Sequence, residues 1–446
     1  MGILADGGLV ATIRRDGPRP ADHGGRRTGR WHCDPWMGAN MMWPTAGFID
    51  QPGHRPIARS MATVPPLRIA ILGHFRHAIA EPFQGGLEAH TALLADELTR
   101  RGHDVTLLAK EGSVTAARLR PIVPAGFHYG PLPGETIDRS EMMADAALLE
   151  AIHEVEDEVD VVLNNSLSKV PYLHLADRPM LTALHTPASL ERVVEVIAAT
   201  DWRPGHRHVW AGVSRTTSRD WARWLPDVRC ITNGIDLARW APRPDVTARP
   251  QHAVWSGRIT PEKGLVLAIE AAQLAGWSLS ISGPVADPVY FAEQIAPRLD
   301  EKIRYVGHLR HTELPAFLQS GSVYLFTPMW PEPFGLALVE ALAGGTPAAV
   351  LPQGAVAEIV GRRGGVIAAG CTAVDLAAAL PRAAELDRRA VAASVAGFSK
   401  TAMVSAYEQV LAEIATVDSD LIPVPVSAPS RSHERTTDRE KESPCR

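Results

Sequence analysis

Leu67-Arg68-Ile69-Ala70-Ile71-Leu72-Gly73 is a short apolar run that closes on glycine. A run this brief, without strict alternation, is the pattern of a strand covered on both faces, as in a parallel sheet. The residues after it support that reading. From Leu87 to Arg101, Leu87, Leu94, Leu98 and neighbouring alanines fall on one helical face, and Gly102 follows as a stop. Asp104–Ala109 then reads as a second strand. Further runs stand at Val159–Leu163, Met180–Leu184, Val209–Val213 and Val228–Thr232. Strands alternating with helix patterns predict an α/β fold, a doubly wound parallel sheet.

The pattern stops and restarts. Ala241-Pro242-Arg243-Pro244-Asp245 through Pro250 is proline-rich and has no apolar face, so it reads as a linker. Beyond it, Ala253–Ser256, Ser278–Ser282, Ile303–Val306, Val323–Phe326, Ala348–Leu351 and Gly365–Ala368 are strand-like, with helix patterns between them, the first over Pro261–Ala275. The expectation is two Rossmann-like domains, 61–240 and 251–387, facing each other across a cleft. A helical segment over 388–418 follows. Open α/β sheets bind ligands beyond the carboxyl ends of their strands, so the cleft is the candidate site. Residues 1–60 sustain no periodicity and read as a disordered extension, with Met61 just ahead of the first strand; 419–446 is rich in Ser, Pro and charge and reads as a disordered tail.

Composition narrows the function. The 446 residues carry 45 basic and 50 acidic side chains, a net charge of −5, and are 46% hydrophobic. A slightly acidic globular chain gives no general reason to bind nucleic acid or an anionic membrane, so any phosphate recognition must be local. Cys33, Cys230, Cys371 and Cys445 are far apart and form no CxxC pair, which speaks against a disulfide framework or a cysteine zinc site. A reducing cytoplasm fits. The sequence has no run of 18 apolar residues, so peripheral contact is the form of membrane association left open.

The densest chemical signal is Pro331-Glu332-Pro333-Phe334-Gly335-Leu336, continuing to Glu340 and Gly344-Gly345-Thr346-Pro347. Pro333 and Gly335 mark a loop entering a helix. The amides of Phe334, Gly335 and Leu336 would lack intrahelical partners and carry partial positive charge, suited to sugar hydroxyls or phosphate oxygens. Glu332 precedes the helix and can accept from sugar hydroxyls. Glu340, about one and a half turns in, can accept from a ribose diol. A second segment, Ser256-Gly257-Arg258-Ile259-Thr260-Pro261-Glu262-Lys263-Gly264, follows a strand and opens a helix. Cations at a helix start are disfavoured by the macrodipole, so Arg258 and Lys263 there suggest a bound anion; together they can straddle a diphosphate.

The first of these segments resembles the E-x7-E motif of the retaining glycosyltransferases of family 4. Three further motifs fall in that family's order, and the likeness spans residues 67–415. The resemblance implies a GT-B fold, with acceptor on the first domain, donor on the second, and the last helices packing back on the first. It implies a hexosyltransferase moving sugar from a nucleoside-diphosphate sugar, UDP favoured, to an acceptor hydroxyl, without metal or cofactor. Arg258 and Lys263 would stabilise the leaving diphosphate, with Gly257 beside them. In Glu81-Pro82-Phe83-Gln84-Gly85-Gly86-Leu87-Glu88, the paired Gly85 and Gly86 would let backbone approach the donor, and no spaced third glycine makes a dinucleotide fingerprint. His185, in Leu184-His185-Thr186-Pro187, would contact the transferred sugar, although Thr186 stands where relatives often have Asp or Gly. Asn233, in Asn233-Gly234-Ile235-Asp236, would lie near the phosphates, and the backbone of Val306-Gly307-His308-Leu309, Val306 and Gly307 foremost, would read the base. Asp418-Ser419-Asp420 spells D-x-D at the edge of the tail, away from the cleft, and gives a metal site little support. The alternatives are a GT-B nucleotide-sugar epimerase or phosphorolytic relative, and a non-catalytic nucleotide-sugar-binding scaffold.

Overall fold

A computed structural model of the chain describes residues 64–128, 137–175, 177–190, 193–199 and 202–416. The segments read as disordered, 1–60 and 419–446, and the Asp418–Asp420 motif lie outside them.

The first sheet has seven parallel strands: β1 (Arg68–Leu72), β2 (Asp104–Ala109), β3 (Arg118–Pro121), β4 (Val161–Asn164), β5 (Met180–Leu184), β6 (His208–Gly212) and β7 (Arg229–Cys230), in the order β3-β2-β1-β4-β5-β6-β7. In register, Ile69 of β1 lies between Val105 of β2 and Val161 of β4. The second sheet has six: β8 (Arg249–Ser256), β9 (Ser278–Ser282), β10 (Ile303–Tyr305), β11 (Gly321–Phe326), β12 (Ala348–Val350) and β13 (Gly365–Ile367), in the order β10-β9-β8-β11-β12-β13. Both orders reverse at one point, between β1 and β4 and between β8 and β11, and such switch points open crevices at the strands' carboxyl ends.

Helix α1 (Gly86–Arg100) shows how sequence sets the layers. Thr91, Leu94, Ala95 and Leu98 are buried at helical spacing against the first sheet. The helix ends where the Gly102 amide bonds to Thr99 and the His103 amide reaches back to Leu98; Gly102 takes φ +95°, a conformation glycine adopts without penalty. The turns that carry functional residues open helices α2 (Leu237–Trp240), α3 (Leu265–Ala275) and α4 (Leu336–Ala343).

The last helix, α5 (Lys400–Thr416), lies on the first sheet. Met403, Val404, Tyr407, Val410, Leu411 and Ile414 join the cluster formed by β1, β2 and α1. Each such buried aliphatic side chain contributes roughly 1.5–3 kcal/mol. Ion pairs frame the contact. Glu408 receives Arg101 at 2.6 Å and His103 at 3.0 Å, Glu413 takes Arg229 in a two-pronged pair at 2.7 and 2.6 Å, and Lys400 bridges Glu97 and Asp236, each at 2.9 Å.

Three points differ from the sequence reading. Of the described part of 388–418, only α5 packs on the first sheet; Val391 and Val395 of Arg388–Val395 are buried in the second-sheet core, and Arg388 donates to the Gly321 and Gln319 carbonyls. β8 begins at Arg249, inside the stretch taken as linker, because proline-containing residues at the start of a strand still fit an extended chain. The segment from Pro261 is not one helix: a 3₁₀ turn (Pro261–Lys263) ends at Gly264, φ +66°, and α3 begins after it. A Cβ at Gly264 would stand 2.0 Å from the Thr327 carbonyl oxygen, so close packing requires glycine there.

Candidate active site

A cleft of about 650 Å³ is lined by the loops that follow β1, β4 and β5 of the first sheet and β8 and β11 of the second. Arg258, Lys263, Glu332 and Glu340 share it with His185, Gly85, Gly86, Asn233, Gly257, Phe334, Gly335 and Leu336.

The second-sheet wall is built on hydrogen bonds below the surface. Trp255 Nε1, at the end of β8, donates to Thr327 Oγ1 at 3.0 Å, and Thr327 Oγ1 donates to the Lys263 carbonyl at 2.9 Å. This fixes the turn from which Lys263 extends. Its Nζ meets Glu332 Oε2 at 2.7 Å, with both side chains largely covered (18% and 12% exposed). Trp330 Nε1 donates to the same oxygen at 2.8 Å, and the Trp330 ring centre lies 5.2 Å from Lys263 Nζ. The Glu332 backbone is held from behind: the Ala355 amide donates to its carbonyl at 2.9 Å, and Gly354, φ +57°, packs where a Cβ would come within 2.4 Å of its nitrogen. Arg258 is less constrained, one-third exposed and 3.9 Å from Glu262.

Gly335, φ +93°, turns the chain into α4. The first intrahelical bonds come from the Leu338 and Val339 amides to the Gly335 carbonyl. The amides ahead of them are therefore those of Gly335, Leu336 and Ala337, one residue later than the sequence suggested. The Phe334 side chain is buried in the second-sheet core against Phe398, so this residue faces the cleft through its main chain. Glu340 lines the cleft from within α4. Burial pushes its carboxyl up to about 8, against the opposing charge of Arg239.

Across the cleft, His74 Nε2 lies 2.8 Å from Glu88 Oε1, and the Arg76 amide donates to His74 Nδ1 at 3.1 Å. Nδ1 accepts, so Nε2 carries the proton toward Glu88. Burial alone would raise the Glu88 carboxyl; the hydrogen bond from His74, helped by a backbone hydrogen bond, outweighs it and holds the group at about 2. Gly86 is where the two walls come together: a Cβ there would stand 3.1 Å from Leu336 Cδ1. His185 Nε2 lies 3.3 Å from Asn165 Oδ1, with the His90 ring edge-on at 4.8 Å. Burial holds the His185 imidazole well below its ordinary value. Asn233 is buried, its amide bonded to the Val213 carbonyl at 3.2 Å and its side-chain oxygen without a protein partner.

Val306 and Gly307 are the exception among the expected contacts. They do not line the cleft. The Val306 amide donates to Ile281, and the Gly307 carbonyl accepts from the Gly283 amide and from Ser282 Oγ, each at 3.0 Å. The Val306 amide and the Gly307 carbonyl thus serve the β9–β10 junction, and the next two residues of the segment, His308 and Leu309, line the cavity. Sequence reasoning missed Trp330 and the His74–Glu88 pair. Trp330 immediately precedes one quoted motif and Glu88 closes another; His74 lies in the loop after β1, where a switch-point loop was to be expected. Among the described residues no group of three or more His, Cys, Asp or Glu is placed to hold a metal ion.

Residues 84–239 match the family model described as Glycosyltransferase Family 4, and residues 243–397 match that described as Glycosyl transferases group 1. The chain is 28% identical over 340 residues to a glycogen synthase of Mycobacterium tuberculosis, covering 66% of this chain and 81% of that one. It is 27% identical over 289 residues to a phosphatidyl-myo-inositol mannosyltransferase of Mycolicibacterium smegmatis, covering 59% and 71%. In fold it is similar to a sucrose-phosphate synthase from Thermosynechococcus elongatus (TM-score 0.63, 18% identity, 78% of this chain and 98% of that one). It is also similar to the Anabaena protein HepE, solved with UDP and glucose (TM-score 0.60, 17% identity, 78% and 100%).

Proposed function

The chain belongs to the glycosyl transferases group 1, with a family 4 first half and a GT-B fold, and from that premise we propose that it is a retaining glycosyltransferase using a nucleoside-diphosphate hexose, UDP favoured, as donor. The observation that supports the reading is one cleft lined by an ammonium, a guanidinium and two carboxylates. The sugar C1–oxygen bond to the diphosphate breaks, and negative charge grows on the leaving oxygens. Lys263 and Arg258 stabilise that charge from fixed positions, assisted by the amides of Gly335 and Leu336. Glu332 Oε1 accepts from a hydroxyl of the transferred sugar while Oε2 keeps its hydrogen bond from Trp330. His185, kept neutral, orients the same sugar from the first wall. Glu340 accepts from the ribose, and Gly85, Gly86, Gly257 and Asn233 let the diphosphate approach backbone closely. The acceptor hydroxyl attacks C1 from the face the leaving group departs from, and its proton passes to the departing phosphate oxygen. This front-side displacement retains configuration.

UDP is favoured because a neighbour of the same fold was solved with UDP and glucose; relatives named as a glycogen synthase and a mannosyltransferase make a hexose the expected sugar. The reading assigns the charge stabilisation to Arg258 and Lys263, requires neither metal nor cofactor, and goes with a cytoplasmic location. No helix among the described residues is long and apolar enough to cross a membrane. A thermal-shift panel of UDP-, GDP- and ADP-sugars tests the donor: a ligand held by the native state alone raises the melting temperature by mass action. The UDP-sugar should give the largest rise. A larger rise with GDP or ADP forms would replace the nucleotide, and no rise with any of them would remove the donor site.

A further inference from the structure

A cation meant for a diphosphate is poorly placed if a carboxylate already holds it. Lys263 Nζ and Glu332 Oε2 lie 2.7 Å apart, and both are mostly shielded from water, where such a pair is stronger than at the surface. Left to themselves, the two groups would neutralise each other, and an incoming diphosphate would have to break the pair.

We infer that Trp330 is a positioning residue that weakens this competition. Its indole N–H donates to the very oxygen that Lys263 contacts, at 2.8 Å, so the negative charge of Oε2 is shared between two donors. A donor bound to a carboxylate oxygen lowers what that oxygen offers to a second partner. The Trp330 ring face, 5.2 Å from Nζ, offers the ammonium another favourable contact that does not carry a negative charge. Lys263 can therefore turn to a phosphate without leaving Glu332 unpaired, because the indole keeps hold of the carboxylate. Glu332 in turn stays fixed, with its backbone already clamped by Ala355 and Gly354. Sequence placed Trp330 just outside the E-x7-E segment, and its part in the site appears only from these contacts.

This inference rests on the donor-site reading, and the experiment separates the two. The full chain is titrated calorimetrically with UDP, ADP and GDP, in four forms: native, Trp330→Phe, Glu332→Gln, and the double variant. Phenylalanine keeps the ring and removes the N–H. In the native background, Trp330→Phe should weaken nucleoside-diphosphate binding about tenfold, the scale of one hydrogen bond to a charged group. In the Glu332→Gln background, where no carboxylate competes for Lys263, the same substitution should change affinity by less than about twofold. A merely structural tryptophan would weaken binding equally in both backgrounds, and that result overturns the inference, as does unchanged binding in Trp330→Phe alone. If the native chain binds none of the three nucleotides, the donor-site reading itself falls and takes this inference with it.

Discussion

Glu340 gives a prediction in which stability and function should move in opposite directions. Its carboxyl has an ordinary value of 4.5 and is pushed to about 8 by burial in the fold. A group whose folded value is raised stabilises the fold below its unfolded value, and that contribution is lost as pH rises through the folded value. Between pH 4.5 and about 8, the unfolded chain releases a proton that the folded chain keeps, so stability should fall with increasing pH. The limiting slope is about 1.4 kcal/mol per pH unit, which reaches roughly 3 kcal/mol at pH 7. Glu340 opens onto the cleft, and solvent there reduces the figure to roughly 1–2 kcal/mol. Glu340→Gln removes the ionisation and keeps the shape. At pH 7 it should melt roughly 2–6 °C higher than the native chain, with a shallower decline in melting temperature from pH 5 to 8. It should also lose transfer activity, because the ribose hydroxyls of a bound donor are held best by the ionised carboxylate, a state the amide cannot reach. Melting curves at pH 5, 6, 7 and 8 measure the difference. Parallel pH slopes for the two proteins would refute the burial argument, and full activity of the more stable variant would refute the assigned role.

Other expectations follow from individual contacts. Gly354→Ala forces a Cβ at φ +57° to within 2.2 Å of the Glu332 carbonyl oxygen and should lower kcat roughly tenfold by displacing Glu332, read by steady-state transfer rates. Leu411→Ala, on the fully buried face of α5, should cost about 2–5 kcal/mol of stability in denaturant unfolding while leaving donor affinity nearly unchanged, because the cavity lies behind the first sheet. Addition of a chelator such as EDTA should leave the transfer rate unaltered within about twofold, the size of a weak perturbation rather than a lost charge contact; a rate that collapsed and recovered with a divalent cation would transfer the leaving-group role from Arg258 and Lys263 to a metal.

The fold was readable where burial writes itself into composition. β1 after Arg68, and β5 apart from Thr182, are apolar and buried on both faces, so Leu67–Gly73 and Met180–Leu184 announced themselves. β3, Arg-Leu-Arg-Pro, did not: it is a sheet-edge strand, largely exposed, and a strand that buries so little leaves no hydrophobic trace. The site divided along similar lines. Arg258, Lys263, Glu332 and Glu340 stood in compact motifs whose spacing carried their chemistry, and all four meet in one cleft. The His74–Glu88 pair joins residues 14 apart through a loop, and neither residue alone distinguishes itself from an ordinary polar side chain. Val306 and Gly307 were misplaced for a different reason: a backbone group's partner is set by the neighbouring strand, here Ile281 and Gly283, and no property of the residue itself reveals it.

In the proposed reaction Arg258 and Lys263 hold a leaving diphosphate in the cleft between the sheets. Equilibrium filter binding of radiolabelled UDP to the native chain and to the folded Arg258→Ala/Lys263→Ala variant tests it most directly. Two lost charge contacts should weaken binding by at least about a hundredfold, and the native affinity should fall as salt is raised. Equal affinity for UDP in the two proteins, at low salt, would contradict it.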